Sequence, residues 1–501
     1  MTPLLAALQG PTVDWFSLSP LLVLLGGALF LLMVGALTPA WPKGLYALFT
    51  VAVSVATFVL GVVLWHQIDR EGPSTLVGNA LQLDKPTVWL VFIVAGALAV
   101  TSLLTDGYLR REGLDGPEVY GLYLLAAIGG IVMGSANDLV VLFLGLEILS
   151  IALYVLAASH RRRVSSQESG MKYFVLGSFS SAIFLYGVAL LYGGSGSTNY
   201  AEIVSAFNQA IELDRSHDAL VLAGVALVVV GLSFKAAAVP FHFWTPDVYQ
   251  GAPTPVTAFM SSVAKAAAFV AMLRVLVEAL GHWSDDYQPV IWVVGVLTLL
   301  VGSAMAVVQT DVKRMLAFSS ISHAGFILVG IEAAVHTPGA PMAGDGVNAV
   351  LLYTAIYAVM TLGTFGVVTA VSRTGDAATD ISAFRGLGRN RTWLAIGMTI
   401  LLLAQAGVPL TAGFVAKFGV ITAAVDVESY VIAVIAMLAA VIAAYLYLRI
   451  MVSMWVTDPE ASDEAREPVR VPALLGIAVT LTVAFTLAVG LYPGLLLDAL
   501  P

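Results

Sequence analysis

The sequence contains no cysteine. That excludes disulfides on this chain and any iron–sulfur cluster held by thiolates. Charge is scarce too: Asp, Glu, Lys and Arg make up 11% of 501 residues, against 59% hydrophobic ones. So little charge rules out a soluble globular chain and points to an all-α polytopic membrane protein. The net charge of -9 argues against a nucleic-acid partner. The amino terminus lacks a basic n-region, so no cleavable signal peptide is expected. There is no Walker motif, no metal-ligand cluster and no catalytic triad. The run GGSGS at 193–197 follows an apolar span rather than a strand, so it reads as a loop and not a nucleotide site.

What is present is organised around Ser233 to Lys265, SFKAAAVPFHFWTPDVYQGAPTPVTAFMSSVAK. Lys235 opens it inside an apolar run. Pro240 has no N–H to give the helix ladder, so the helix should break there and leave the carbonyl of Ala236 free. A polar, aromatic stretch with His242, Trp244 and Asp247 follows, and a new apolar helix near Val256 carries Lys265. Charge at membrane depth is costly, and irregular backbone is tolerated there only inside protein or beside water. Two lysines flanking a broken helix therefore suggest an ion path. A simple kink with snorkelling lysines is the structural alternative, and the apolar neighbours on both sides of each lysine weigh against it.

A span needs roughly 20 apolar residues, and fourteen can be placed: near 20–37, 45–65, 87–105, 119–134, 139–158, 173–193, 218–239, 256–279, 288–308, 315–333, 348–371, 393–424, 430–452 and 472–492. The twelfth has Pro409 in mid-run, so it should break like the seventh and free the carbonyl of Gln405; Lys417 lies beyond the break. Odd-numbered loops hold fifteen basic residues, including Lys43, Arg161, Arg162, Arg163 and Arg466, while even-numbered loops hold Arg70, Lys85 and Arg215. The bias predicts odd loops in the cytoplasm and both termini outside. Spans four to eight match nine to thirteen, each set with a Val-Pro break and a lysine. Five spans per unit make the two units inverted. The expected division is 1–118 with three spans, 119–280 and 288–452 as the two repeats, and 453–501 with the last span.

Glu147 lies in the middle of span five, with Lys235 as its natural partner. At about 4 Å and an effective dielectric near 20, such a pair gains roughly 4 kcal/mol, enough to offset much of the desolvation. Ser261 and Ser262 precede Lys265 by four and three residues, so all three should share one hydrated helix face. Span ten repeats the idea with Ser319, Ser320 and His323. An imidazole there suits a proton relay or a packed hydrogen bond equally. His242 is a further relay candidate. Lys417 has no acid within spans nine to thirteen and is expected to accept a proton. Lys172, at the start of span six, reads either as a proton-uptake group or as an interfacial anchor. Gly129, Gly130 and Gly134 in span four suggest close helix packing.

Three stretches resemble one family: LGLEILSIALYVL around Glu147, FKAAAVPFHFWTPDVYQGAPTPVTAFMSSVAK around Lys235 and Lys265, and QTDVKRMLAFSSISHAGF from Gln309. They are similar to the antiporter-like membrane subunits of proton-pumping NADH:quinone oxidoreductase (complex I), and the Asp247–Pro253 variant resembles the subunit N branch most. The resemblance covers roughly residues 120–450. It implies a bacterial cell-membrane protein with other complex I membrane subunits on both sides and lipid around it. Glu147 and Lys235 would form a regulatory ion pair, Lys265 would be the central proton carrier and Lys417 the lysine of the broken twelfth span. It also implies no cofactor on this chain, with flavin (FMN), iron–sulfur clusters and quinone on other subunits. A stand-alone or Mrp-type cation/proton antiporter is the alternative.

Overall fold

The computed structural model describes residues 13–39, 41–42, 44–114, 116–212, 219–336, 342, 344–457 and 469–500. Lys43, Arg215 and Arg466 fall outside them. Among the described residues, thirteen helices are long and apolar enough to cross a membrane. In order they are Ser19–Leu37, Leu45–Glu71, Lys85–Glu112, Glu118–Ser135, Leu139–Ala157, Val164–Ser195, Ala219–Ala236, Thr254–Ala279, Gly281–Val307, Val312–Ala334, Asp345–Val371, Tyr430–Trp455 and Ala473–Leu491. The stretch read as span twelve is two shorter helices, Thr392–Ala406 and Ala412–Asp426. The ordinals of the sequence are kept below, so Tyr430–Trp455 is span thirteen and Ala473–Leu491 span fourteen.

Two sequence expectations change. Span six begins at Val164 and runs to Ser195, so Gly193 and Gly194 are helical and Lys172 sits two turns inside the helix rather than at its start. Between spans two and three, Ser74–Leu76 pairs antiparallel with Leu81–Leu83. Val77, Gly78 and Asn79 all take positive φ in the tight turn between these two strands.

Spans eight and ten are buried along the whole of their apolar stretches and span eleven nearly so, whereas spans one, two and fourteen keep most of theirs exposed. Polar residues on the central spans therefore face protein, and the outer spans supply the apolar surface. Spans four and five cross at glycines. A Cβ on Gly129 would lie 2.3 Å from the Leu149 nitrogen, and one on Gly145 would lie 2.4 Å from that of Met133. Spans nine and ten cross the same way at Gly302 and Gly325, where the distances to Ser322 and Leu299 nitrogens are 2.5 and 2.7 Å.

A second likeness joins the two halves. Asp138 caps span five, accepting from the Val140 and Val141 amides at 2.8 and 3.1 Å, and takes the Thr198 hydroxyl at 2.6 Å. The Leu139 amide donates to the Thr198 carbonyl at 2.9 Å, and the Tyr200 amide to that of Asn137 at 3.1 Å. Asp311 caps span ten through the Arg314 amide at 2.9 Å and takes the Thr379 hydroxyl at 2.5 Å. The Val312 amide meets the Thr379 carbonyl at 2.7 Å, and the Ile381 amide that of Thr310 at 2.9 Å. Each clasp satisfies orphan donors of a helix start and ties it to a loop 60 or 68 residues on. The two clasps stand five spans apart, hence on opposite sides of the bundle.

Loops on the arginine-rich side converge on Asp376, whose side chain is fully buried. Its carboxylate meets Arg163 at 2.8 Å, Arg111 at 3.4 Å and Lys313 at 3.5 Å, and takes the Ser372 hydroxyl at 2.9 Å. Burial alone would raise this carboxyl, but the charges of Lys313, Arg163 and Arg111 outweigh it and hold it below the usual aspartate range. On the opposite side, fully buried Arg274 is gripped by both oxygens of Asp84, each at 2.9 Å.

Candidate functional site: a buried polar row across the bundle

Both broken helices end in the same local structure. After Ala236 the chain turns left-handed at Ala237 (φ 62), with the Ala237 amide on the Phe234 carbonyl and that of Ala238 on Ser233. After Ala406 it turns left-handed at Gly407 (φ 86), with Gly407 on the Ala404 carbonyl and Val408 on Leu403. These are the paired bonds that close a helix C-terminus before a proline. At the first break the Trp244 indole N–H donates to the Phe234 carbonyl at 3.0 Å, and the Val239 amide donates to Thr298 on span nine at 2.9 Å. At the second, Lys417 Nζ donates to the Ala406 carbonyl at 3.0 Å. The freed carbonyl that finds a side-chain donor is thus Ala406, not the Gln405 carbonyl expected from sequence. The stem of Lys417 lies against Gly407, where a Cβ would come within 2.8 Å of Cδ, so the turn needs glycine for both space and φ.

Five of the seven sequence-predicted residues lie in the polar clusters that make up this row, with corrections. Glu147 is half-buried and accepts from the Ser181 hydroxyl. Lys235 is buried and donates to Ser150 Oγ at 2.7 Å and to the Tyr173 hydroxyl at 3.4 Å. The expected direct Glu147–Lys235 ion pair is not formed, because serines of spans five and six take the hydrogen bonds each charge needs. Beside Lys235 lies a cavity of about 10 Å³ lined also by Ser150, Tyr173 and Ser181, the lower limit for one water.

Lys265 follows a widened turn, Met260–Ala264, in which the hydrogen bonds span five residues; such turns recur at functional positions. Its ammonium donates to the Ser320 carbonyl and sits 5.9 Å from the Tyr357 ring centroid. The hydroxyls of Ser261 and Ser262 both bond back to the Ala258 carbonyl at 2.9 Å rather than to the Lys265 ammonium. Tyr357 donates to Ser320 Oγ at 2.8 Å. His323 is 2.7 Å from the Tyr353 hydroxyl through Nδ1 and 3.2 Å from that of Tyr447 through Nε2. Tyr447 continues to Ser319 at 2.6 Å, and Ser319 to Gln405 at 3.5 Å. Lys417 Nζ stands 4.7 Å from the Phe326 ring centroid, on the span that carries His323.

Two candidates lie off this row. Lys172 is partly exposed and holds Asp247 at 2.7 Å and Glu168 at 2.8 Å, while Arg314 reaches the same Asp247 at 2.6 Å. His242 is half-buried within the first break, and its Nδ1 lacks a hydrogen-bond partner among the described residues. Sequence reasoning missed Ser150, Tyr173, Ser181, Tyr353, Tyr357, Gln405 and Tyr447. Two signals were available: Ser150 lies three residues after Glu147, and Tyr353 and Tyr357 are four apart on one face.

A row of this kind, set in an all-helical membrane bundle with two broken helices, defines a class. Residues 136–443 match the family described as NADH:quinone oxidoreductase/Mrp antiporter, transmembrane, and the chain belongs to it. It is an integral membrane protein. It is 42% identical to NADH-quinone oxidoreductase subunit N 2 of Roseiflexus castenholzii over 450 residues, covering 90% of this chain and 89% of that one. It superposes on a chain of respiratory complex I from Thermus thermophilus with TM-score 0.79 and 29% identity, covering 96% of this chain and all of the other. The fold is shared with a chain of the Mrp complex from a Dietzia species at TM-score 0.81 and 22% identity, covering 97% of this chain and 96% of the other.

Proposed function

We propose that this chain is the N-type proton-translocating subunit of a bacterial NADH:quinone oxidoreductase, and that the buried row is its charge relay. The observation that carries the reading is the set of ionisable side chains on five central elements, Glu147, Lys235, Lys265, His323 and Lys417, with hydroxyls bonded to Glu147, Lys235 and His323 and the Tyr357 ring beside Lys265. Quinone reduction on other subunits, which also hold the flavin and iron–sulfur clusters, perturbs the Glu147–Lys235 region. Charge then moves to Lys265, and protons pass by way of His323 and its tyrosines to Lys417. Lys172 and His242 serve uptake at the flanks. In this reading the helix broken at Gly407 crosses the membrane as span twelve, which brings the total to fourteen, and 119–280 and 288–452 are inverted repeats between 1–118 and 453–501. The matched Asp–Thr clasps, glycine crossings and helix breaks support that division. The termini lie on the periplasmic side, as the arginine bias requires.

The test is proton translocation per NADH in the reconstituted assembly carrying Lys265→Met or Glu147→Gln. Both variants should lose most of the pH gradient formed, while NADH oxidation by an artificial electron acceptor continues. Wild-type stoichiometry in both would reject the relay. The Mrp-type alternative is tested by native electrophoresis of a tagged chain: co-migration with a very large NADH-oxidising band supports the N-type reading, and a small inactive band under extraction that keeps complex I whole supports the antiporter.

A further inference from the structure

Spans three, four, five, six and eight leave a cavity of about 900 Å³ at the arginine-rich side of the bundle. Part of its wall is apolar and exposed on this chain: Val155, Met171 and Phe174 lie at the surface, and Leu122 lines the cavity with them. Its rim is basic. Arg161 and Arg162 line it with His160, and Glu118 is the single acid among the lining residues.

The sequence places three arginines together, and the structure uses only one of them. Arg163 turns inward to Asp376 at 2.8 Å and to the Tyr108 hydroxyl at 3.4 Å. Arg161 and Arg162 stay exposed and form no ion pair among the described residues. Their turn is nevertheless ordered. The Arg163 amide bonds the His160 carbonyl at 2.9 Å, Ser166 Oγ bonds the Ala157 carbonyl at 2.7 Å, and Gln167 donates to the Arg161 carbonyl. His160 is 94% buried, its Nε2 3.2 Å from Glu112, and its Nδ1 has no hydrogen-bond partner among the described residues.

From this juxtaposition we propose that the cavity is a binding site for an anionic phospholipid of the cytoplasmic leaflet. Its phosphate would be held by Arg161 and Arg162, the buried His160 nitrogen would be satisfied by the headgroup, and an acyl chain would lie along Val155, Met171 and Phe174. Basic pockets between membrane helices on the cytoplasmic side favour such headgroups because the anionic leaflet supplies them where desolvation by the bilayer strengthens the attraction. A zwitterionic lipid brings the same acyl chains but no net charge.

The experiment uses the purified membrane assembly in phosphatidylcholine vesicles doped with a photoactivatable phosphatidylglycerol or the matching phosphatidylcholine, each with a diazirine on one acyl chain. Peptides carrying Val155 or Met171–Phe174 should be labelled roughly tenfold more by the anionic probe. The double variant R161A/R162A should bring that labelling down to the phosphatidylcholine level. Met171→Trp, which fills the apolar mouth without altering charge, should reduce labelling by both probes and serves if the arginine variant assembles poorly. Equal labelling by the two lipids, undiminished labelling in both variants, or no lipid labelling together with cross-links from this face to a neighbouring subunit would overturn the proposal.

Discussion

Asp376→Asn isolates the charge cluster that gathers four loops. The asparagine keeps the shape and still accepts from Ser372, but it removes the negative charge that Arg163, Arg111 and Lys313 share. At about 3 Å and an effective dielectric near 20, each attraction is about 5 kcal/mol before the mutual repulsion of the cations and their desolvation are subtracted. Breaking such a buried set from one side costs about 3–5 kcal/mol net. The low end applies here. Arg163 and Arg111 are 14% and 22% exposed and can turn toward water, while fully buried Lys313 keeps the Ala252 carbonyl at 2.6 Å. About 3 kcal/mol is a factor of about 150, and the half-life of the detergent-solubilised assembly at fixed temperature should shorten by up to that factor. The partly exposed Lys85–Asp69 pair supplies the control, since Lys85→Ala should cost about 1 kcal/mol or less. The pH sign follows from the lowered carboxyl. Its contribution is present above the ordinary aspartate value and is lost as pH falls through the lowered one, so variant and wild type should converge only below about pH 4. A variant whose half-life at neutral pH matches that of the control would refute the assignment.

Tyr447→Phe removes the hydroxyl shared by Ser319 and His323 and leaves two buried polar groups short of a partner, a loss of about 1–3 kcal/mol. The assembly should still form on a native gel. The initial rate of pH-gradient formation should fall severalfold with NADH oxidation by an artificial acceptor unchanged, and an unaltered rate would take Tyr447 out of the row. Gly302→Val asks a backbone to move, because a Cβ there lies 2.5 Å from the Ser322 nitrogen. It should abolish assembly by prising spans nine and ten apart. Gly26→Ala, with nothing within 4 Å of the added carbon, should assemble normally.

The spans, both breaks and every lysine of the row were legible because each rests on a local rule. Apolar length reveals a span, a proline in mid-run reveals a break, and a charge within twenty apolar residues reveals itself. The Ser74–Leu83 hairpin was not legible, since three-residue strands carry no periodicity. Nor were the partners of the bridging tyrosines, although the spacing of Tyr353 and Tyr357 puts those two on one face. Tyr353, Tyr357 and Tyr447 are amphipathic, and nothing in a helical stretch tells whether such a hydroxyl meets a histidine or lipid. The Asp–Thr clasps join residues 60 and 68 positions apart, beyond any local signal.

The missing Glu147–Lys235 contact marks the limit more sharply. Sequence supplies the opposite charges but not the serines that compete for them, and the competition is decided in space. Ser150 lies one turn beyond Glu147 and takes Lys235 at 2.7 Å, while Ser181 from the next span takes the acid. The two breaks diverge for the same reason. They share one capping geometry, yet Lys235 precedes its break and is held by side chains, whereas Lys417 follows its break and holds the opened end of the helix through the Ala406 carbonyl. Identical local rules therefore yield one lysine tethered to hydroxyls and one tethered to backbone. Only the first can change partners without disturbing a helix end.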